Sequence, residues 1–304
     1  MSKMRQLFDN SYVRLLSEKT RHRADVVFIS ISIGSFLLHL AFIALIDLNL
    51  LTLGNGSNLL KNPIAAIYTP FSFILIYEVY LLVYYLPKST TVYIAKQYEI
   101  ITLIIIRRIF KDLTNLKFND DWLTARENML FGVDLLATLA LFYLIFVFYK
   151  LNQVRENAKK DGAERTTEQT AGLLRFIDFK KALAMFLIPI FVVLSFYSLG
   201  AWVYESLTIT QMVGNIKDIN KIFFDEFFTI LILVEVLILL VSFFLDDDFS
   251  NIIRNSGFII STILIKLSFG TEGILNTFLI LIAVIFGVLV LFIHNKYETL
   301  KLNN

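Results

Sequence analysis

The chain is expected to fold as an all-α polytopic membrane protein, with eight transmembrane helices in two tandem, parallel four-helix repeats. Three observations lead there. Apolar residues make up 57% of the 304, and the mean hydropathy is +0.68; soluble domains hold roughly 45–50%. The apolar residues come in long uninterrupted runs, and about 20 residues suffice to cross a bilayer at 1.5 Å per residue. The runs do not alternate as barrel strands would over about 10 residues, so the backbone must satisfy itself within helices.

The elements follow in order. Residues 1–24 carry Lys3, Arg5, Arg14, Lys19, Arg21 and Arg23, and "MRQLFDNSYVRLL" has the mixed basic and apolar pattern of a helix lying on the inner leaflet. The eight runs span 26–46, 64–86, 93–110, 129–149, 182–204, 227–245, 252–268 and 273–293. The third and seventh carry charge. The first run starts after about 25 residues and is too long for a signal core, so no secretory signal peptide is expected.

A polar link, 150–181, divides the chain and holds eight cations, among them Lys150, Arg155, Lys180 and Lys181. The tail, 295–304, adds Lys296 and Lys301, while the connections at 48–63 and 207–223 hold one and two lysines. Positive residues favour the cytoplasmic side. Both termini and the link therefore face the cytoplasm, which requires an even number of crossings on each side of the link. Four helices at 25–149 and four at 182–294 satisfy this, and both units then point the same way. Frequent Ile, Asn and Lys suggest an AT-rich bacterial source, hence a bacterial inner membrane.

The halves repeat their charges. Glu78 lies in the second helix and Glu235 in the sixth, 157 residues later; an offset of 158 matches Lys96 with Arg254, Arg108 with Lys266 and Asp47 with Glu205. Ionisable residues are rare at membrane depth and cost at least about 2.5–3.5 kcal/mol when unpaired. Counting helical rise places Arg107 and Arg108 roughly 6–8 Å beyond the middle of the third helix, level with Asp134. Glu78 and Glu99 fall in a second layer nearer the cytoplasm, with Lys96 just below, and Glu235 is expected to face Arg254. Lys266 has Glu205 as its expected partner. Such pairs lock helix register, or they line a path for a cation or proton. Glu78, Glu235, Glu99 and His39 are the expected pathway residues, His39 because imidazole titrates near neutral pH. Asp47 and Glu205 sit at the interface, Trp122 and Trp202 read as belt anchors, and "NGS" at 55–57 matches a glycosylation sequon.

The segment "YEVYLLVYYLPKSTTVYIAKQYEIITLIII", 77–106, resembles the second and third helices of voltage-sensor-type domains. Those place an acid, a short turn with Pro and Lys, and another acid in this order, matched here by Glu78, Pro87, Lys88 and Glu99. The resemblance implies a four-helix bundle of that general shape. The fourth and eighth helices carry no row of gating cations, so it does not extend to voltage sensing, and no "TVGYG" filter is present.

Several function classes fall away. Cys is absent and only three His occur, which removes disulfides, thiolate metal sites and a Cys nucleophile. No "HExxH", "GxSxG" or P-loop appears, so neither an enzyme nor a cofactor is expected. Asp246, Asp247 and Asp248 read as a solvated turn more than as a site for a divalent cation with a diphosphate. The net charge of +2 and the lack of a basic tract with interleaved aromatics give no nucleic-acid surface. The expected partners are the lipid bilayer, a small ion or proton, and a second copy or a membrane-complex subunit. The expected function is a channel or transporter for a small ion or protons; the alternative is a non-transporting scaffold.

Overall fold

The structure is a computed structural model and describes residues 3–50, 63–113, 116, 125–160, 167–208, 219–244 and 249–302. Among these it is entirely helical: α1 (Lys3–Leu16), α2 (Glu18–Asp47), a 3₁₀ turn (Pro63–Ile67) leading into α3 (Tyr68–Tyr85), α4 (Thr90–Leu113), α5 (Arg126–Lys160), α6 (Thr167–Thr208), α7 (Ile219–Phe243), α8 (Phe249–Phe269) and α9 (Ile274–Leu302). Among the described residues, each of the eight apolar runs lies mainly in one of α2–α9, and the end of α5 and the start of α6 extend into the polar link.

Local chemistry sets the boundaries. Ser17 separates α1 from α2 and caps α2, its hydroxyl accepting from the Thr20 N–H at 3.2 Å, which satisfies a donor the first turn leaves open. Pro87 lies in the tight turn between α3 and α4, where a missing N–H costs nothing. The α8–α9 turn passes through Gly273 at φ +65°, a backbone region open to glycine without strain.

Among the described residues, six helical segments are long and apolar enough to cross a membrane: Asn10–Asp47, Arg126–Gln153, Leu174–Tyr197, Glu226–Phe243, Phe249–Phe269 and Ile274–Leu300. Two of the eight expected spans fall short of that measure. The apolar part of α3, Thr69–Tyr85, is shorter, and α4 carries Lys96, Glu99, Arg107 and Arg108. The reason for α4 is its position. It packs against α3, α5, α8 and α9, and Ile94, Tyr98, Ile101 and Ile105 are buried on it. A helix surrounded by other helices need not be apolar all round. The outer helices show the complement: Leu136 and Phe146 on α5, and Val193 and Phe196 on α6, are exposed, as lipid-facing residues are.

The halves of the sequence interlock. Besides contacts between successive helices, α3 packs on α6, α5 on α9, and α4 on both α8 and α9. The start of α2, the α3–α4 turn, the end of α5, the start of α6 and the end of α9 share one end of the bundle. Arg21 Nη1 donates to Tyr85 Oη at 2.9 Å, Lys180 Nζ to the Lys88 carbonyl at 2.5 Å, and Asn295 Nδ2 to the Leu151 carbonyl at 2.9 Å. Tyr80 Oη donates to the Leu15 carbonyl at 3.1 Å, which holds α1 against α3.

Close packing at the centre depends on Gly287 of α9. A Cβ there would lie 1.7 Å from Tyr98 Oη. Tyr98 is buried, shares a 2.7 Å hydrogen bond with Ser261 Oγ, and Ser261 donates in turn to the Ala283 carbonyl at 2.7 Å. Small residues that admit a neighbour's side chain or backbone are a main means of association where lipid removes the hydrophobic drive. Gly287→Ala is expected to destabilise the bundle by about 1–3 kcal/mol through overpacking, seen as a lower thermal midpoint in detergent. Tyr98→Phe should recover part of the loss, and Gly34→Ala, with open space at its Cβ, should leave the midpoint unchanged.

Candidate functional site

Among the described residues, α4 contributes to three polar clusters in the interior, and a further one joins α8 and α9 around Arg254 and His294. The first joins α4, α5 and α9. Arg108 grips Asp134 with two bonds, Nε to Oδ2 at 2.5 Å and Nη2 to Oδ1 at 2.6 Å. It also donates to Asn276 Oδ1 and Thr277 Oγ1, both at 2.5 Å. Thr277 donates to Asp134 Oδ1 at 2.6 Å, and Asn276 Nδ2 to the Ser268 carbonyl at 2.6 Å. The planar guanidinium thus serves a carboxylate and two neutral acceptors at once. Depth counting puts Arg108 and Asp134 at one level; Asn276 and Thr277, on the other half of the chain, carry no mark of their role in sequence.

The second cluster is the buried ion pair of Arg107 with Glu78 on α3. The depth count sets these residues in different layers, and the structure joins them. Side chains lean toward the N-terminus of their own helix. The helices α3 and α4 run in opposite directions away from their shared turn, so Glu78 leans away from the turn and Arg107 leans back toward it. The gap between their levels closes from both sides. Lys96 meets Glu99 at 2.6 Å on α4 itself, and Glu99 also accepts from Tyr149 Oη.

The third cluster surrounds Glu235 of α7. Its Oε1 accepts from Gln97 Nε2 of α4, and Gln97 Oε1 accepts from Thr262 Oγ1 of α8 at 2.9 Å. The expected contact of Glu235 with Arg254 gives way to this arrangement. Arg254 Nη1 bonds instead with Asn251 Oδ1 at 3.0 Å and His294 Nε2 at 3.1 Å, and both Nε and Nη2 donate to Asn255 Oδ1. Arg254 lies nearer the start of α8 than Thr262 by eight residues, roughly 12 Å of helix, and it leans further toward that start. The imidazole of His294, buried at the end of α9, shares a 2.8 Å hydrogen bond with Ser250 Oγ, which donates to Glu298 Oε1 at 2.8 Å.

The remaining sequence-derived residues stand apart from these clusters. His39 is half-buried with Nδ1 2.5 Å from Thr69 Oγ1. Asp47 is exposed at the end of α2, and Lys266 is half-buried in the last turn of α8. The side chains of Glu205 and Trp202 lie outside the described residues, as do Trp122, the 55–57 sequon and Asp246–Asp248, so the match of Asp47 with Glu205 has no geometry. Sequence reading missed Gln97, Thr262, Tyr93 and Lys180. Neutral amides and hydroxyls in apolar helices give no pattern, and Lys180 had been counted with the polar link.

Comparison with protein-family models, with curated proteins and with solved structures finds no match for this chain. The reading of the site therefore rests on its own geometry.

The Arg108–Asp134 pair is expected to bear heavily on stability. Removing one partner from a fully buried pair typically costs about 3–5 kcal/mol, and less is expected here because Arg108 is only half-buried, whereas replacing both with apolar residues costs far less. Asp134→Leu should lower the thermal midpoint sharply, and Asp134→Leu with Arg108→Met should restore much of it. Additive losses in that double-mutant cycle would deny the coupling.

Proposed function

We propose that the chain is an integral membrane protein whose helices α2–α9 form two tandem four-helix units, with both termini and the link on the cytoplasmic side, and that it conducts or transports a small ion or protons. The observation that carries the function is Glu235. It is buried deep in an apolar helix, held at one oxygen by the neutral Gln97 amide, and its other oxygen completes no hydrogen bond. A buried carboxyl without a cation is costly to keep as a charge and has value as a place where a positive species comes and goes. Charge repetition in the two halves supports the tandem units, and the alternating direction of the helices supports an even count of crossings. The local resemblance of 77–106 to voltage-sensor helices adds only the expectation of a four-helix shape.

A non-transporting subunit of a membrane complex is the second reading. It is favoured by the Arg108 cluster, whose guanidinium is engaged by α5 and α9 together and so reads as a tie between helices.

Topology is open to a direct test because the chain has no native cysteine. Cysteines placed at Ser2 and Asn304 should react with an impermeant maleimide only when the cytoplasmic face is exposed. Labelling of either from the outside would overturn the proposed orientation. Function is tested by reconstituting purified protein in liposomes under an imposed potential and following ion movement. Wild type should carry flux, and Glu235→Gln should abolish it while the variant remains folded by circular dichroism. Folded wild type without flux would favour the complex-subunit reading.

A further inference from the structure

Glu78 and Glu235 occupy matching places in the two halves, yet their surroundings differ in kind. Glu78 is joined to Arg107. Protonating Glu78 would break that ion pair. Glu235 has only neutral hydrogen-bonding partners on α4 and α8, so a proton can arrive or leave there without breaking an ion pair. The likeness of the two acids in sequence thus conceals a division of roles.

A small, partly open cavity adjoins Glu235, lined by the α3–α4 turn, α4, α6, α7 and α8. Its polar lining is Thr90, Tyr93, Lys180, Glu235 and Asn255, and its volume is about 30 Å³. Tyr93, Lys180 and Glu235 are only 3%, 5% and 6% exposed. Tyr93 Oη of α4 and Glu235 Oε2 of α7 are both buried without a well-formed hydrogen bond, and the two side chains interact with one another. Most of the lining is apolar, including Leu86, Ile94, Ile238 and Phe258; the volume exceeds the roughly 10–15 Å³ that one water needs, and Tyr93 and Glu235 supply the polar partners that would hold it. Lys180 Nζ, donating to the Lys88 carbonyl, stands at the side of the α3–α4 turn.

We propose that the transported species is the proton, and that Glu235 with its water-holding cavity, Tyr93 and Lys180 forms the site where protons enter or leave from the α3–α4 end of the bundle. This rests on the transport reading above and narrows it. A metal cation would need several oxygen ligands around it. The cavity offers one free carboxylate oxygen and a phenol, with an ammonium in the same wall and the Arg254 guanidinium beside Asn255 on α8. Among the described residues no three His, Asp or Glu side chains gather where a metal could be held. A proton has no such requirement. It needs a chain of exchangeable O–H and N–H bonds: a cavity water gives a proton to Glu235 Oε2, and that water recovers one from the next water toward the cytoplasm, so one O–H bond forms for each that breaks. The titratable groups that interact with Glu235 are Tyr93 and Tyr98, both from α4; Lys180 from α6 lines the same cavity, with the Arg254 guanidinium of α8 beyond it, and Gln97, Thr262 and Asn255 complete the surroundings as neutral groups.

The experiment combines flux with a spectroscopic readout. Proteoliposomes of wild type, Glu235→Gln and Tyr93→Phe are loaded with pH-, sodium- or potassium-sensitive dyes. In parallel, difference infrared spectra are taken across a pH change to follow carboxylic acid C=O stretching. Wild type should move protons and neither metal ion. Glu235→Gln should slow proton flux about 10²-fold, the scale of losing a proton-transferring side chain. Tyr93→Phe should retain a slower proton flux, since the phenol holds water and leaves the carboxyl in place. A pH-dependent carboxyl band should be absent from Glu235→Gln. Should that variant not fold, Glu235→Asp keeps the acid, and the band must shift in frequency. Sodium or potassium flux that depends on Glu235 would overturn the proton assignment and leave the transport reading standing. A titrating Glu235 band without flux of any ion would overturn transport and leave a proton-binding site. A spectrum without a pH-dependent Glu235 band overturns the proposal whatever the flux.

Discussion

Two adjacent arginines on one helix set the architecture. Successive side chains on an α-helix point about 100° apart, so Arg107 and Arg108 address different neighbours, and neither can be left facing lipid without a large cost. Arg107 is met by Glu78 of α3, and Arg108 by Asp134 of α5 with Asn276 and Thr277 of α9. These bonds demand that α4 be flanked by α3 on one side and by α5 and α9 on another. That demand makes α4 the interior helix. Its charge, which disqualifies it as a lipid-facing span, is the reason for its place.

The same helix joins the two halves of the chain. Gln97 binds Glu235 and Thr262, Tyr98 binds Ser261 and fits over Gly287, and Arg108 reaches Asn276 and Thr277. Each of these links crosses from the first half to the second. In a membrane, apolar contact distinguishes poorly between a helix and lipid, so hydrogen bonds and close steric fit must select the neighbours. The seam of buried polar groups therefore gives the bundle its specific pairing. It also concentrates exchangeable protons in the interior, where they are shielded from bulk solvent.

Within that seam, charge compensation separates groups that hold the structure from groups free to change state. An arginine with two carboxylate bonds and two further acceptors has little freedom. A carboxyl served by one amide, beside a space for water, has more. Glu78 and Glu235 show that an acid buried in an apolar helix acquires its role from what stands opposite, here a guanidinium in one case and neutral groups in the other.

How much was legible in the sequence depends on the kind of information each feature carries. Helical content and the position of every apolar run followed from composition and run length, because lipid leaves the backbone few solutions. Levels along the helices followed from the constant rise per residue, which is why Arg108 and Asp134 fall together. Partner choice did not follow, since it depends on which helices are neighbours and where their side chains lean. Glu78 meets Arg107 across a difference in level because antiparallel helices direct those side chains toward one another. Glu235 meets Gln97 and not Arg254 because Arg254 lies eight residues nearer the start of α8 than Thr262 and leans toward that start. Uncharged partners leave no trace in an apolar helix, and a cavity is a property of packing. The sequence by itself determined a bundle of apolar helices with buried charge; only the tertiary structure decided which charges are neutralised and which acid borders a cavity.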